Sequence, residues 1–276
     1  MTSFFEFECV STFGFYRVQI LFIGDIVGAP GRQAIKKWLF PLVCEYQPDV
    51  VIANAENIAG GLGATAATLR ELFDTGVHVA TLGNHVWRRK ELIKDLETIA
   101  NVVRPANYPG DPPGKGAIVY ELSDGRKLGI INLLGRTFME PLDCPFEAAD
   151  RVLNHIGKDV CGILVDFHAE ATSEKVAMGF FLDGRCSAVV GTHTHVQTAD
   201  ERVLPKGTAY ITDVGMTGPL DSVIGVESDL VIHRFRTGMP VEFKVAKGRV
   251  LLNAVLIMTD DASGLAKDIK RISLKE

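Results

Sequence analysis

The sequence predicts an α/β fold in layers, a central β core flanked by helices, and three observations carry that prediction. Short apolar runs alternate with segments of helical spacing along most of the chain. Several of these runs end in a small polar or acidic station that a buried strand would carry to its end. No repeat, low-complexity stretch or interdomain linker divides residues 18–276, which read as a single domain behind an extension at 1–17.

The elements follow in order. Residues 18–23 form an apolar run suited to a central parallel strand, ending in Gly24-Asp25. Residues 32–46 then show helical spacing through Ile35, Trp38, Leu39 and Leu42, with Pro41 expected to interrupt or kink the helix. A second strand is expected over 49–53, leading to Asn54-Ala55-Glu56-Asn57. Thr65 can cap a helix through Leu69, Leu72 and Phe73 that closes at Gly76. A third strand over 77–82 runs into Gly83-Asn84-His85, and a charged helix is expected over 88–99. Pro105, Pro109, Pro112 and Pro113 mark a long loop, and 117–122 with 126–134 reads as a hairpin. Beyond a helix at 146–156, a core strand at 162–165 delivers Asp166-Phe167-His168. A helix at 173–181 and a strand at 187–190 follow, the strand delivering Gly191-Thr192-His193-Thr194-His195. The remainder reads as β structure over 203–213, a helix over 227–235, and a β-rich tail at 241–245, 250–258 and 269–274.

Bulk properties narrow the class. A chain of 276 residues can bury a full core, and 47% hydrophobic with 23% charged residues is ordinary for a globular protein. No apolar run approaches the roughly 20 residues needed to span a membrane, so no membrane partner is expected. The formal charge of −5 argues against a broad basic face, so stable nucleic-acid binding is not expected. Cys9, Cys44, Cys144, Cys161 and Cys186 show no metal or disulfide spacing, which predicts reduced thiols in a cytoplasmic protein, Cys161 being the clearest core residue. The aromatic-rich residues 1–17 carry Glu6 and Glu8 and no early positive charge, a poor secretory signal and a weakly structured extension.

In an open α/β sheet, side chains just beyond the carboxyl ends of the strands meet in one crevice. The five stations would then offer Asp25 and Glu56 as carboxylates, Asn57 and Asn84 as amide oxygens, and His168, His193 and His195 as imidazoles. Two cations about 3.5–4 Å apart need such a mixture, and together they can hold both the attacking and the leaving oxygen of a phosphoryl transfer. Nitrogen and oxygen donors without sulfur favour Fe, Mn, Co or Zn over a closed structural zinc cage. Each fragment alone is weak, since an Asp after a strand is often a cap or turn residue. Two imidazoles in Gly-Thr-His-Thr-His after a buried strand are harder to explain as packing, because they need partners. His78, His155 and His233 carry no such context and are assigned no role.

These stretches resemble the calcineurin-like metallophosphoesterases, and more closely their compact bacterial YmdB-like subgroup. The likeness rests on residues 20–28 (Ile-Leu-Phe-Ile-Gly-Asp-Ile-Val-Gly), Asn84-His85-Val86-Trp87, Arg104-Pro105-Ala106-Asn107, residues 166–174 and residues 189–200, and it extends over 18–274. It implies the layered calcineurin-like metallophosphoesterase fold and an enzyme that hydrolyses phosphodiesters, with 2′,3′-cyclic nucleotides favoured, by attack of a metal-activated water. By the same resemblance one metal takes Asp25, Glu56, Asn57 and His195, and the other takes Glu56, Asn84, His168 and His193. His85 is then the acid that protonates the leaving oxygen, and the two divalent or trivalent ions are Fe or Mn. Val27 stands where the broader family has a histidine, and Glu56 with Asn57 replaces the bridging aspartate; Asn57 can fill the vacancy. Arg88, Arg136, Lys175 and Arg185 are basic residues near the stations, each expected to be a solvated surface charge rather than a phosphate holder.

Two other readings compete. Gly61-Leu62-Gly63-Ala64-Thr65-Ala66 fits the dinucleotide-binding pattern G-x-G-x-x-G/A, but it lies past the second strand instead of after the first. A regulatory protein that binds a nucleotide or a partner with little turnover is the alternative function. A homo-oligomer is also expected, from the apolar β-rich C-terminal region.

Overall fold

Side chains alternate across a strand, so each buried strand serves two different cores, and this sorts the chain into layers. The structure, a computed structural model, describes residues 18–110, 112–157 and 159–276. The extension expected at 1–17 lies outside the described residues. In chain order the elements are β1 (Gln19–Ile23), β2 (Asp25–Ile26), α1 (Gly28–Tyr46), β3 (Val50–Asn54), α2 (Ala66–Asp74), β4 (Val79–Thr81), α3 (Lys90–Asp95), β5 (Val102–Val103), β6 (Ala117–Glu121), β7 (Lys127–Leu134), α4 (Pro145–Ile156), β8 (Gly162–His168), α5 (Thr172–Leu182), β9 (Ala188–Thr192), β10 (Arg202–Val203), β11 (Ala209–Ile211), β12 (Met216–Pro219), α6 (Ser228–Thr237), β13 (Val250–Thr259) and β14 (Ala266–Lys275).

These strands form two sheets. The first has eight strands in the order β2-β12-β13-β1-β3-β4-β5, with β14 added on β13; the second has six in the order β10-β11-β9-β8-β7-β6. Ile20, Phe22, Ile52 and Val79 of the first sheet pack with Leu128, Ile130, Leu164 and Val190 of the second in the core between them. The opposite face of the first sheet, through Leu21, Ile23, Val51 and Ala53, packs under Ile35, Leu39 and Leu42 of α1 and Leu69 and Leu72 of α2. Ile131, Leu133, Val165 and Phe167 do the same for the second sheet, under Ala148 and Ala149 of α4 and Met178 and Leu182 of α5. The layers are therefore α, β, β, α: a β core flanked by helices, as expected, with that core built of two mixed sheets. Each fully buried large side chain contributes roughly 1.5–3 kcal/mol, so the apolar face of every central strand is strongly specified.

Several elements depart from expectation for identifiable reasons. Helix α1 begins at Gly28 and runs through Pro41 to Tyr46. Proline there removes the bond to the Lys37 carbonyl, and both residues are exposed, so water can take the freed carbonyl. The charged helix contracts to the six residues of α3, because residues 83–88 are drawn into turns beside the candidate site: Val86 N–H donates to Gly83 O and Arg88 N–H to His85 O. Residues 241–245 form no strand; Val245 makes one isolated bridge to Val226, and Glu242 to Lys244 are exposed with no ladder to join. Among the described cysteines Cys186 is the buried one, whereas Cys161 is only partly buried. Thr65 caps α2 as expected, in a reciprocal capping box with Thr68. No helix among the described residues is long and apolar enough to cross a membrane.

Candidate metal centre

Strands β1, β3 and β4 run parallel in the first sheet, as do β7, β8 and β9 in the second. Their carboxyl ends meet across the sandwich: Asn54, the last residue of β3, donates from Nδ2 to Asp166 Oδ2 near the end of β8 at 2.9 Å. Thr81, the last residue of β4, donates to the same oxygen at 2.5 Å. The five stations follow or finish these strands and so come to one place, from two sheets. Asp25, Glu56, Asn57 and His168 are buried there, with Asn84, His85, His193 and His195 partly exposed around them.

His168 Nε2 is the centre of one cluster, 3.1 Å from Glu56 Oε2, 3.0 Å from Asn84 Oδ1 and 3.1 Å from His193 Nδ1. Donors that share a cation at bond lengths of roughly 2.0–2.2 Å stand about 3 Å apart, so this spacing suits one ion. In the second cluster Asp25 Oδ1 is 3.9 Å from His195 Nε2, and the Asn57 amide nitrogen is 2.7 Å from Glu56 Oε1 and 3.3 Å from His195 Nε2. The donor atoms of Glu56, His168 and His193 lie within 4.8 Å of one another, and so do those of Asp25, Glu56 and His195. Glu56 belongs to both groups, with Oε2 beside His168 and Oε1 beside the Asn57 amide. Asn57 turns its amide nitrogen toward Glu56 and His195, and its oxygen meets His85 Nδ1 at 2.8 Å. A half-turn of that amide brings the oxygen into the donor cluster.

Two observations test whether this site fits cations. Asp25 Oδ1 is buried with no hydrogen-bond partner, while Oδ2 accepts from the His193 N–H at 3.1 Å. A buried oxygen left in that state costs about 1–3 kcal/mol, which a nearby cation would offset. At Gly83 any Cβ would collide with Glu56 Oε2 and His168 Nε2, so the backbone leaves that space to the donors. The residues fit.

Each imidazole is also held from behind. His168 Nδ1 meets Thr192 Oγ1 at 2.8 Å, His193 Nε2 meets Glu170 Oε2 at 3.1 Å, and His195 Nδ1 meets the Ile224 carbonyl at 2.8 Å. One nitrogen of every ring is thereby occupied and the other turned toward the carboxylates, the arrangement that orients metal-ligating histidines. His193 and His195 have φ of 101° and 67°, left-handed values that cost of order 1–3 kcal/mol each in residues other than glycine. A buried ion pair holds this loop: Lys175 Nζ reaches Asp213 Oδ2 and the Thr192 carbonyl at 2.7 Å each. Asp213 Oδ2 also accepts from Thr194 N–H at 3.0 Å and Thr194 Oγ1 at 2.7 Å.

The electrostatics follow from burial and charge. Desolvation holds the Asp25 carboxyl above the usual range. Burial works against charge on Glu56 too, but His168 and His85 outweigh it and hold that carboxyl well below the usual range. Burial likewise opposes a charged His168, yet Glu56, Asp25 and Asp166 push the ring up to about 9. Burial and then His168 push His193 down to about 3. Glu56 therefore stays charged beside a His168 ring that holds a proton, which a cation bound there would displace.

Other expectations resolve differently. Lys175 is neither solvated nor a phosphate holder, since it is buried against Asp213. Arg185 pairs with Asp150 at the surface, and Arg88 and Arg136 are exposed. Val27 packs with Met216 and Leu251 in a small apolar cluster where a histidine ligand is absent. The Gly61–Gly63 loop lies beyond β3, its carbonyls clamped by Arg89, which donates to Leu62 O at 3.0 Å and Ala59 O at 2.7 Å. His78 accepts from the Val51 N–H through Nδ1, and His155 and His233 are exposed, so all three lie outside the site. Sequence reasoning placed Asn54, Asp166 and Thr192 in the stations without a role and passed over Asp213 and Glu170. The signal for Asp166 was present: a carboxylate two residues before His168 in an apolar strand shares its face and needs donors.

Three comparisons bear on this arrangement. A Bacillus subtilis protein named 2′,3′-cyclic-nucleotide 2′-phosphodiesterase is 50% identical over 259 residues, 94% of this chain and 98% of that one. A crystal structure of a hypothetical protein from Thermus thermophilus superposes with a TM-score of 0.88 at 44% identity, covering 94% of this chain and all of that one. That of a novel phosphatase from Mycoplasma pneumoniae gives a TM-score of 0.89 at 36% identity, covering 95% of each chain. The family model described as YmdB-like protein matches residues 21–272, and with that extent of agreement the chain belongs to the YmdB-like family.

Proposed function

We propose that this chain is a metal-dependent phosphodiesterase that hydrolyses 2′,3′-cyclic nucleotides at a dinuclear centre, with the unit at 18–276 acting as one catalytic domain. The observation that carries the reading is the pair of donor groups sharing Glu56. Asp25, Glu56, Asn57 and His195 would hold one cation, and Glu56, Asn84, His168 and His193 the other, with Fe or Mn suited to this nitrogen and oxygen set. When bound, such cations would supply charge neutralisation at the phosphoryl oxygens and a more acidic water. The name of the Bacillus relative supports the cyclic substrate.

His85 supplies the proton. Its Nδ1 lies against the Asn57 side-chain amide and 3.1 Å from Glu56 Oε1, so proton delivery falls to Nε2. An imidazole does this work near neutral pH, and the ester oxygen that leaves phosphorus receives the proton. The four thiols of Cys44, Cys144, Cys161 and Cys186 are free, which supports a reducing, cytoplasmic setting. Exposed Ile232, Phe235 and Met239, on and just after α6, support association of two copies.

The test is hydrolysis of 2′,3′-cyclic AMP by manganese-loaded protein, beside Glu56→Ala and with 3′,5′-cyclic AMP as a second substrate. Turnover of the 2′,3′ isomer that falls to background in the variant is expected. No turnover by folded protein carrying two metals per chain rules out the substrate.

A further inference from the structure

The buried polar chain behind His168 is fully defined by donors and acceptors, and this determines which ring nitrogen keeps its proton. Asp166 Oδ1 accepts from Thr192 Oγ1 at 2.7 Å, so the threonine proton is committed to the carboxylate. The Thr192 oxygen can then only accept, from His168 Nδ1 at 2.8 Å and at longer range from Asn54 Nδ2 at 3.4 Å. Asp166 Oδ2 is committed as well, to Thr81 Oγ1 at 2.5 Å and Asn54 Nδ2 at 2.9 Å. Asp166, Thr192, Thr81, Asn54 and His168 are all fully buried, so no water competes for these bonds.

We infer that Asp166 is a positioning residue that acts through Thr192 to keep a proton on His168 Nδ1, leaving the Nε2 lone pair free for a cation shared with Glu56, Asn84 and His193. The inference rests on the reading of His168 as a metal ligand for its purpose, though not for its geometry. The relay's residues come from both sheets, β3 and β4 on one side and β8 and β9 on the other, so it also ties the two sheets together where the site is built.

Asp166→Asn reverses the relay with almost no change of shape. Asn54 cannot turn its amide to accommodate the change, because its Oδ1 accepts from the Glu56 N–H at 3.1 Å and its Nδ2 also donates to Leu82 O at 3.2 Å. The new amide must therefore offer its oxygen to Asn54 and Thr81 and its nitrogen to Thr192. Thr192 then accepts from residue 166 and donates to His168 Nδ1, which moves the ring proton to Nε2. Thr192→Val breaks the link, and Thr192→Ser restores it.

The experiment combines two readouts on the full chain. Nitrogen-15 NMR of histidine-labelled, metal-free protein at alkaline pH reports the neutral tautomer of His168, and Mn(II) titration reports the affinity of each site. Wild type and Thr192→Ser are expected to hold the proton on Nδ1. Asp166→Asn is expected to hold it on Nε2 and to bind one of two Mn(II) ions about 10–100-fold more weakly, as loss of an outer partner does. Folding of each variant is checked by its thermal transition, and Thr192→Val supplies the same comparison where Asp166→Asn does not fold. Retention of the Nδ1 tautomer in Asp166→Asn or Thr192→Val overturns the inference. A tautomer that switches in a chain whose wild type takes up no Mn(II) upholds the relay and removes the metal reading instead.

Discussion

Replacing Lys175 by methionine separates the scaffold from the chemistry, because Lys175 touches none of the proposed ligands through its own side chain. Its ammonium is buried between Asp213 Oδ2 and the Thr192 carbonyl at 2.7 Å. Methionine keeps the length of the stem and removes the charge. Breaking a buried ion pair by deleting one partner costs about 3–5 kcal/mol, since the survivor stays charged and dry. Asp213 retains Thr194 N–H at 3.0 Å, Thr194 Oγ1 at 2.7 Å and Gly215 N–H at 2.8 Å, which puts the effect near the lower end, about 3 kcal/mol. In a chain of this size each kcal/mol shifts the melting temperature by roughly 2–4 °C, so a fall of about 6–12 °C is expected. The assay is thermal unfolding of metal-free protein by circular dichroism, followed by Mn(II) titration of the folded variant. The strained backbone at His193 and His195 depends on this anchor, so Mn(II) affinity falls together with stability. Changing Asp213→Asn in the same chain should restore part of the loss, because the uncompensated charge is then gone. A change below about 2 °C, with Mn(II) binding intact, refutes the claim that this pair holds the histidine loop.

Two further outcomes follow from local geometry. Gly83→Ala places a methyl group against Glu56 Oε2 and His168 Nε2, and is expected to abolish Mn(II) binding at the His168 cluster while the thermal transition of the metal-free chain survives; calorimetric titration with wild-type affinity contradicts it. His78 is half-buried, desolvation lowers its pKa from 6.5, and its Nδ1 accepts from Val51 N–H at 2.9 Å. The neutral ring's contribution is complete above about pH 6.5 and declines as the pH falls below it, because the unfolded chain takes up that proton first. His78→Gln should flatten the slope of melting temperature between neutral and mildly acidic pH, and an unchanged slope removes His78 as its source.

The donors were legible in the sequence because burial makes each of them anomalous. Asp25, Glu56 and the histidines of Gly191-Thr192-His193-Thr194-His195 follow runs such as Ile20–Ile23 that are wholly apolar, and polar side chains at the end of a buried strand demand partners. The layers were legible for the same reason, from continuous apolar runs and the helical spacing between them. That the strands divide between two sheets was not. Parallel runs read alike whichever sheet they join, and the pairing of β13 with β1 brings together Ile257 and Ile20, residues no local pattern connects.

The hidden part of the site has one physical character: it consists of relations between polar groups distant in the chain. Lys175 reads as a surface charge on an amphipathic helix until Asp213, thirty-eight positions away, is placed beside it. Thr192 is an ordinary strand residue until Asp166 commits its hydroxyl proton and thereby gives His168 a direction. A candidate ligand's identity is a property of one residue, so sequence can nominate it. Its orientation belongs to a network, and here the network spans both sheets. The order of vulnerability should follow from this. Substituting a ligand removes one donor atom, whereas substituting Asp166 or Lys175 leaves every donor present and aims it wrongly. Loss of metal affinity with all eight predicted site residues unchanged is the signature that separates the two.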